Sequence, residues 1–378
     1  MTGEAQAALL PDRRRLHLHH GPIDIIAEAF GEAHEVRLAY EQAATRFMTV
    51  LQPLVDELGL LRTAIAAPRP RARGSIVRRM IDAVWPHRGV FITPMAAVAG
   101  AVADEVLAAM VLGRRLARAY VNNGGDIALY LAAGERLSAG VVSDPDCLGL
   151  DARVTIDASM TVRGLATSGW RGRSFSFGIA DAVTVLAASA AAADAAATLI
   201  ANAVNVDHPV IARRPANHVR DDTDLGPRLV TTAVGALPPA LIAAALDEGA
   251  LVAAEMRARG LIHSAYLALQ GETRVVEERA VEARAPLLLS RHSPATQRVN
   301  RRIHRAARAE RWILGSAWTP PENDELGVGE TCSLPDGSSG PHTGAAGSRP
   351  EDHEQAFAST QSSAIGHLMP TSSEDRPA

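Results

Sequence analysis

Three stretches of this sequence carry residue types that can do chemistry. The first is Asn122-Asn123-Gly124-Gly125-Asp126. Adjacent glycines accept positive φ and let a ligand approach the backbone. Exposed amides in such a turn can cradle a phosphate. The same five residues also suit a plain hairpin turn capped by Asn and Asp side chains. The second stretch runs Gly164-Leu165-Ala166-Thr167-Ser168-Gly169-Trp170 and continues as RGRSFSFG. Its hydroxyls and the guanidinium groups of Arg171 and Arg173 suit pyrophosphate or carboxylate oxygens, and Trp170 can stack on a ring. An irregular polar hairpin is the other reading. The third stretch holds Asp194 and Thr198, four apart on one helix face. A carboxylate, a hydroxyl and nearby carbonyls are hard oxygen ligands that suit Mg²⁺. A solvent-facing Asp and a back-bonded Thr on an Ala-rich helix fit the same spacing.

Other candidates are weaker. Asp104 and Glu105 are adjacent, so their side chains diverge on a helix. His17, His19 and His20 form a histidine-rich tract in what reads as a polar lead-in. His17 and His19 share a face at alternate positions and His20 opposes them, a poor arrangement for a metal. His208 precedes Pro209 with no nucleophile nearby, and His263 has apolar neighbours and reads as a core or rim residue. Asp24 lies in an apolar strand without an identifiable partner. No GxSxG elbow, HExxH, Walker loop or CxxC occurs. The Arg-rich stretches at 68–79 and 298–313 read as solvated faces, and make a binding patch only if they converge in space.

These residues need elements to position them. Ile23–Ala29 has a β-prone start and reads as a strand. Val36, Tyr40, Ala43, Phe47, Val50, Leu54 and Leu58 recur every three or four residues, which marks a long helix face that Pro53 interrupts. Ser75 is a candidate cap for a helix through Val84. Thr93–Leu112 reads as a turn and a small-residue helix that Gly113 ends. Strands are expected at Leu116–Val121, Ile127–Leu131, Leu137–Val142, Arg153–Ile156, Thr161–Leu165, Ala182–Ala187, Arg228–Ala233, Ile262–Leu269 and within 274–283. Ser189 is an N-cap candidate for the Ala-rich helix that holds Asp194. Leu241–Arg259 reads as a helix despite Gly249. The whole predicts a mixed α+β fold with antiparallel sheet. Three segments are expected: a flexible N-terminus at 1–16, one domain with a C-terminal helical extension at 17–318, and a disordered polar tail at 319–378.

Composition narrows the class. The chain has 378 residues, room for one large or two medium domains at roughly 100–200 residues each. Lys+Arg number 38 against 42 Asp+Glu, and aromatics make up 4%. That balance gives no overall electrostatic case for a nucleic-acid partner, and so few aromatics disfavour a base-stacking platform. Two cysteines, Cys147 and Cys332, make neither a disulfide framework nor a thiolate zinc cage. The N-terminal apolar stretch is too short, and its charges too late, for a signal peptide. The apolar stretch 182–204 contains Asp194, which argues for a packed internal helix over a membrane span. The expected location is the cytoplasm, with no membrane partner.

Taken together, NNGGDI, GLATSGW and ADAVTVLAASAAAADAAATLIANAV resemble the ApbE-like superfamily, whose best-known members are FAD-dependent FMN transferases. The opening HHGPIDIIAEAFG resembles its UPF-class subgroup. The resemblance spans about His19 to Gln270 and rests on the order and spacing of the three motifs. It implies an ApbE-like, T-fold-like α+β fold with FAD and Mg²⁺ as cofactors. By that likeness Asp194, Thr198 and the carbonyl of Ala197 would hold the metal. Asn123, Gly124, Gly125, Asp126, Thr167, Ser168, Gly169 and Arg171 would lie near the nucleotide. The implied reaction is attack of an acceptor hydroxyl on the FAD pyrophosphate. Two departures touch the flavin pocket. Ala99 stands before Gly100 where the transferases carry Lys, and their His-rich stretch is shortened here to SFSFGIAD.

Three functions follow as expectations. The first is a cytoplasmic ApbE-like protein that binds FAD or a related nucleotide with Mg²⁺ and transfers FMN. The second is a different small-molecule enzyme on the same scaffold. The third is a non-enzymatic binding or assembly module. The partner in the first two is a small molecule or nucleotide, and the Ala-rich helix leaves room for a homodimer.

Overall fold

A computed structural model of the chain describes residues 4–141, 152–277 and 367–369. The helical reading at 298–313, the C-terminal extension, the tail other than 367–369, and Cys147 and Cys332 lie outside the described residues. The described chain begins with Gln6–Leu9 (β1), Leu16–His20 (β2) and Ile23–Gly31 (β3). Helices Ala33–Phe47 (α1), Leu51–Asp56 (α2), Leu58–Leu61 (α3) and Ser75–Val84 (α4) follow. A 3-10 turn at Pro94–Ala97 leads into Val98–Val111 (α5). Then come Leu116–Asn123 (β4), Asp126–Leu131 (β5), Arg136–Val141 (β6), Ala152–Asp157 (β7), Gly164–Ser168 (β8) and Ala182–Ala187 (β9). Ala190–Ala203 (α6), Ile211–Pro215 (β10), Ala216–Val219 (α7), Leu229–Val234 (β11), Pro239–Ala258 (α8), Ser264–Leu269 (β12) and Glu272–Val276 (β13) complete the main body.

Nine strands form one antiparallel sheet in the order β1-β2-β3-β4-β5-β8-β9-β12-β13. The pair β10–β11 forms a separate ribbon, and β6 pairs with β7 and with the short strand His367–Met369. The α+β class and the antiparallel sheet agree with expectation. Strand residues alternate between two apolar layers, as a period of two requires. Ala119, Val121, Ala128, Ala166, Val183 and Val185 face the core shared with the helices. Tyr120, Ile127, Leu129, Leu165 and Leu186 face a second core, closed by Leu137, Ala139 and Ile156 of the β6–β7 hairpin.

Several local expectations are corrected. The N-terminal segment is no loose lead-in, because β1 and β2 pair as a hairpin at the sheet edge. The three histidines therefore sit on a strand. His17 bonds Asp24 at 2.6 Å, the partner that sequence alone did not reveal, while His20 turns to Phe47. The helix after Gly31 breaks at Met48–Val50, so that Pro53 falls in the first turn of α2, where a missing N–H costs nothing. Gly74, not Ser75, is the N-cap of α4, and Ser75 Oγ donates instead to Glu105. β8 begins at Gly164 rather than Thr161. Pro94–Val111 has the length and hydropathy of a membrane span, with a mean hydropathy of 1.6 over 18 residues. In this fold it is a central core helix, with Ala101, Val102, Ala103, Val106 and Met110 buried.

The backbones of α5 and α6 pack closely where Gly100 meets Ala190. A Cβ at Gly100 would lie 2.3 Å from the carbonyl oxygen of Ala190. Gly100→Ala should therefore destabilise the fold. Helix propensity favours Ala by about 1 kcal/mol, but overpacking against rigid backbone costs about 1–3 kcal/mol, and the second effect should prevail. Chemical denaturation checks this: the midpoint should fall with the slope unchanged.

Candidate functional site

The site grows from two helix starts. The first amides of a helix have no intrahelical acceptor and carry partial positive charge. Asp194, in the second turn of α6, accepts from Gly100 N at 3.0 Å and from the Ala99 amide, both in the first turn of α5. Asp104, in the second turn of α5, accepts from Ala190 N at 3.0 Å and Ala191 N at 2.9 Å, the first residues of α6. Each helix caps the other. Ser189 adds its own cap to α6 by accepting from Ala192 N, as expected from its residue type.

The turn between β4 and β5 meets this crossing. Gly124 and Gly125 have φ of 67° and 110°, the left-handed pair that a two-residue hairpin turn favours. Gly125 N donates to Asn122 Oδ1, and Asn123 Nδ2 donates to the Ala99 carbonyl at 3.0 Å. Asp126 opens β5 on the helix side of the sheet and is buried. Burial pushes its carboxyl well above the usual range, and the negative charge of Asp194 adds to the effect. An amide bond from Thr167 and the charge of Arg173 oppose it. Asp194 is pushed up to about 7, first by burial, then further by Asp104, against the pull of its two amide bonds. It keeps some contact with solvent, although protein packs closely around its carboxylate. Burial also raises Asp104.

The remaining sequence candidates divide. Thr167 Oγ1 bonds Thr184 Oγ1 at 2.9 Å, on the sheet face opposite the helices. Ser168 ends β8 beside the turn, in register with Val183. Gly169 lies where a Cβ would sit 2.2 Å from the Asp181 carbonyl oxygen. Arg171 leans on Trp170 and on Asp181, 3.3 Å from its Oδ1, which draws it towards β9. Thr198 follows Asp194 by one turn of α6 and is part-exposed. Ala197 is wholly buried in mid-helix, so the helix ladder engages its carbonyl. Arg173 is the guanidinium over the Gly124–Gly125 turn, since a Cβ on Gly124 would lie 1.9 Å from its Nη2. Asp104 was a weaker candidate in the sequence, and its role as acceptor for the α6 amides, like that of the Ala99–Gly100 amides for Asp194, emerges only from the helix crossing.

Among the described residues, no group of three or more His, Cys, Asp or Glu side chains is arranged to hold a metal. A cation at Asp126 and Asp194 would rest on two carboxylates, with a hydroxyl such as Thr198 and water to complete its shell. Two surface hollows, of about 480 and 540 Å³, are lined by residues such as Arg69 and Asp82, and by α1 residues such as Gln42 with Leu112 just after α5. Neither includes these carboxylates.

Sheet and site define an α+β protein with a buried acidic pair at the meeting of a glycine turn and two helix starts. The family model described as AbpE bacteria matches residues 7–275. The chain belongs to this ApbE-like family, as the three motifs suggested. It is 33% identical over 184 residues to a UPF0280 protein of Methanothermobacter thermautotrophicus, covering 48% of this chain and 64% of that protein. It is 32% identical over 188 residues to a UPF0280 protein of Methanosphaerula palustris, covering 48% and 74% respectively. For a third, from Methanobrevibacter smithii, the figures are 37% over 112 residues, covering 29% and 46%. The chain thus spans less than two thirds of the first and third of these relatives. The crystal structure of the ApbE protein from Thermotoga maritima overlays with a TM-score of 0.37 at 11% identity, over 72% of this chain and 96% of that one.

The raised pKa of Asp194 makes stability fall with rising pH. Its folded value lies above the ordinary 3.8, so the unfolded state releases the proton first. The contribution is whole below about pH 4 and is lost as pH climbs towards 7. Asp126 and Asp104 act in the same direction. Asp194→Asn keeps an oxygen for the Gly100 amide but removes the charge. Its melting temperature, measured between pH 4 and 8 without divalent cations, should fall less steeply than that of the wild type. Asp194→Ala also loses the cap and should be about 1 kcal/mol less stable than the Asn variant.

Proposed function

We propose that this chain binds a divalent cation together with a phosphate-bearing small molecule, at the end of the sheet where Asp126 meets Asp194. The observation that carries this reading is the meeting of the Asp126 and Asp194 carboxylates at the glycine turn and the two helix starts, where burial raises the proton affinity of both. Such a pair is over-charged when ionised, and a bound cation relieves it. All of its donors are hard oxygens, which suits Mg²⁺. Asp126 and Asp194 would hold the ion, with the Thr198 hydroxyl one turn further along α6. When bound, Mg²⁺ supplies charge stabilisation at phosphate oxygens. Asn123 fixes the glycine turn to the start of α5, so the turn cannot drift from the acid pair. Family membership makes FAD the leading ligand, and FMN transfer the reaction to test.

A second reading, a different small-molecule enzyme on the same scaffold, is favoured by Ala99. This residue stands where the resemblance leads one to expect Lys, and its amide bonds Asp194. No amine reaches the acid pair from that position, so a ligand smaller than FAD, or another nucleotide, fits this reading equally well.

Titration with FAD, followed by flavin fluorescence with and without Mg²⁺ at pH 8, tests the proposal. Saturable binding that strengthens at least tenfold with Mg²⁺ is expected. That gain should vanish in Asp194→Asn and Asp126→Asn. Mg²⁺-dependent binding of another nucleotide but not FAD would favour the second reading. No shift in melting temperature with Mg²⁺ at pH 8, for any nucleotide, would overturn both.

A further inference from the structure

We propose that Arg173 and Arg220 form a seat for phosphate oxygens, set over the Gly124–Gly125 turn. The inference rests on the cation-and-phosphate reading above and names the residues that would grip the anion. Gly124 is the first observation. Its missing Cβ leaves the space into which Arg173 Nη2 reaches, so the guanidinium lies against the turn. Arg173 acts on the buried acid below, drawing the Asp126 carboxyl back towards its ionised form. Its own side chain forms no ion pair within 4 Å among the described residues.

The loop is tied down just after Arg173, at residues 176–178. Phe177 N donates to Asn202 Oδ1 at 2.8 Å, Gly178 N to Ser176 Oγ at 3.1 Å, and Thr231 N to the Ser176 carbonyl at 2.9 Å. Arg220 arrives from another part of the chain, just after α7. Its guanidinium stacks over Phe175 at 4.9 Å, and its Nη2 reaches the Arg173 carbonyl at 3.4 Å. Of the three acidic residues that follow, Asp222 pairs with Arg62 and Asp224 accepts from Thr93, while Asp221 is exposed beside Arg220.

The charge layout selects the ligand. A buried negative floor calls for a cation, and the exposed guanidinium of Arg173 against the turn, with that of Arg220 at the Arg173 carbonyl, calls for an anion. A cation alone would be repelled by the rim, and an anion alone by the floor. A metal-complexed phosphate or pyrophosphate satisfies both. Guanidinium groups grip such oxygens with two parallel N–H bonds, which an ammonium cannot do. Arg171, the guanidinium expected near the nucleotide from sequence, is held by Asp181 and lies outside this seat.

The test uses the full chain and two probes. Mn²⁺ binding, read by electron paramagnetic resonance, reports the acid pair. Calorimetric titration with inorganic pyrophosphate and with ADP, in the presence of Mg²⁺, reports the seat. Arg173→Gln and Arg220→Gln should each weaken pyrophosphate at least tenfold, and the double variant further, with Mn²⁺ binding retained or tightened. Both side chains are exposed, so the variants should melt as the wild type does. ADP tighter than pyrophosphate identifies a nucleotide, and equal affinities a free phosphate compound; either result supports the seat. Unchanged pyrophosphate affinity in the variants overturns it and leaves the cation reading standing. Absence of Mn²⁺ binding, with pyrophosphate binding that still needs Arg173, fails the cation reading and keeps the seat. A wild type that binds neither pyrophosphate nor ADP overturns the seat.

Discussion

Each central helix is closed at its start by an aspartate from the other. Asp104 of α5 serves the first amides of α6, and Asp194 of α6 serves the first amides of α5. Both helices would otherwise bring unpaired N–H groups to the interior, where each costs about 1–3 kcal/mol. The exchange works only if the backbones nearly touch, which is why Gly100 stands where a methyl group would strike Ala190. The Ala-rich composition of α6 follows from the same requirement. Small side chains at 190–197 let one helix lie against α5 and the other side against β8 and β9. The site is thus a by-product of a packing solution. Two carboxylates needed for capping bring negative charge to the sheet end, and Asp126 adds a third that no helix start consumes.

Neighbouring charge is handled differently. Glu105, next to Asp104 on α5, receives Ser75 Oγ, Arg46 and Arg79, so its ionised form is favoured despite burial. It ties α1 and α4 to α5. Adjacent acids on one helix therefore tie it to different neighbours, because their side chains leave the axis in different directions. Glu105 is neutralised by partners and is structural. Asp194 and Asp126 are not, and the difference in counter-charge, rather than in burial, separates site from scaffold.

Much of this was legible in the sequence. β-prone composition marked most strands of the large sheet, the i, i+3, i+4 pattern marked α1, and Ala/Leu content marked α8. Asn-Asn-Gly-Gly-Asp marked the hairpin because only glycine adopts two successive left-handed conformations cheaply, and Ser189 marked the start of α6 because a hydroxyl there can accept an amide. Local chemistry decides such features. The edge strands β1 and β2 were not legible, since QAAL and LHLHH gain their strand character from pairing with β3. Asp104 was ranked low beside Glu105, since its partners lie some 86 residues away and leave no local signal. Arg173 and Arg171 could not be ranked by type, as both are arginines in one loop. Only the fold shows that Asp181 holds one and the glycine turn receives the other.

The two-residue length of the Gly124–Gly125 turn has a further consequence. Asn123 and Asp126 face each other across the hairpin and point to the same side of the sheet. Lengthening the turn by one residue while β5 keeps its pairing with β8 would shift β4 by a step and carry Asn123 away from Ala99. Letting β5 shift instead would turn Asp126 into the apolar layer occupied by Ile127 and Leu129. Loops in most folds drift in length over time at little cost. This one has no such freedom, so insertions and deletions among descendants of this chain should collect at other sheet connections and spare this turn.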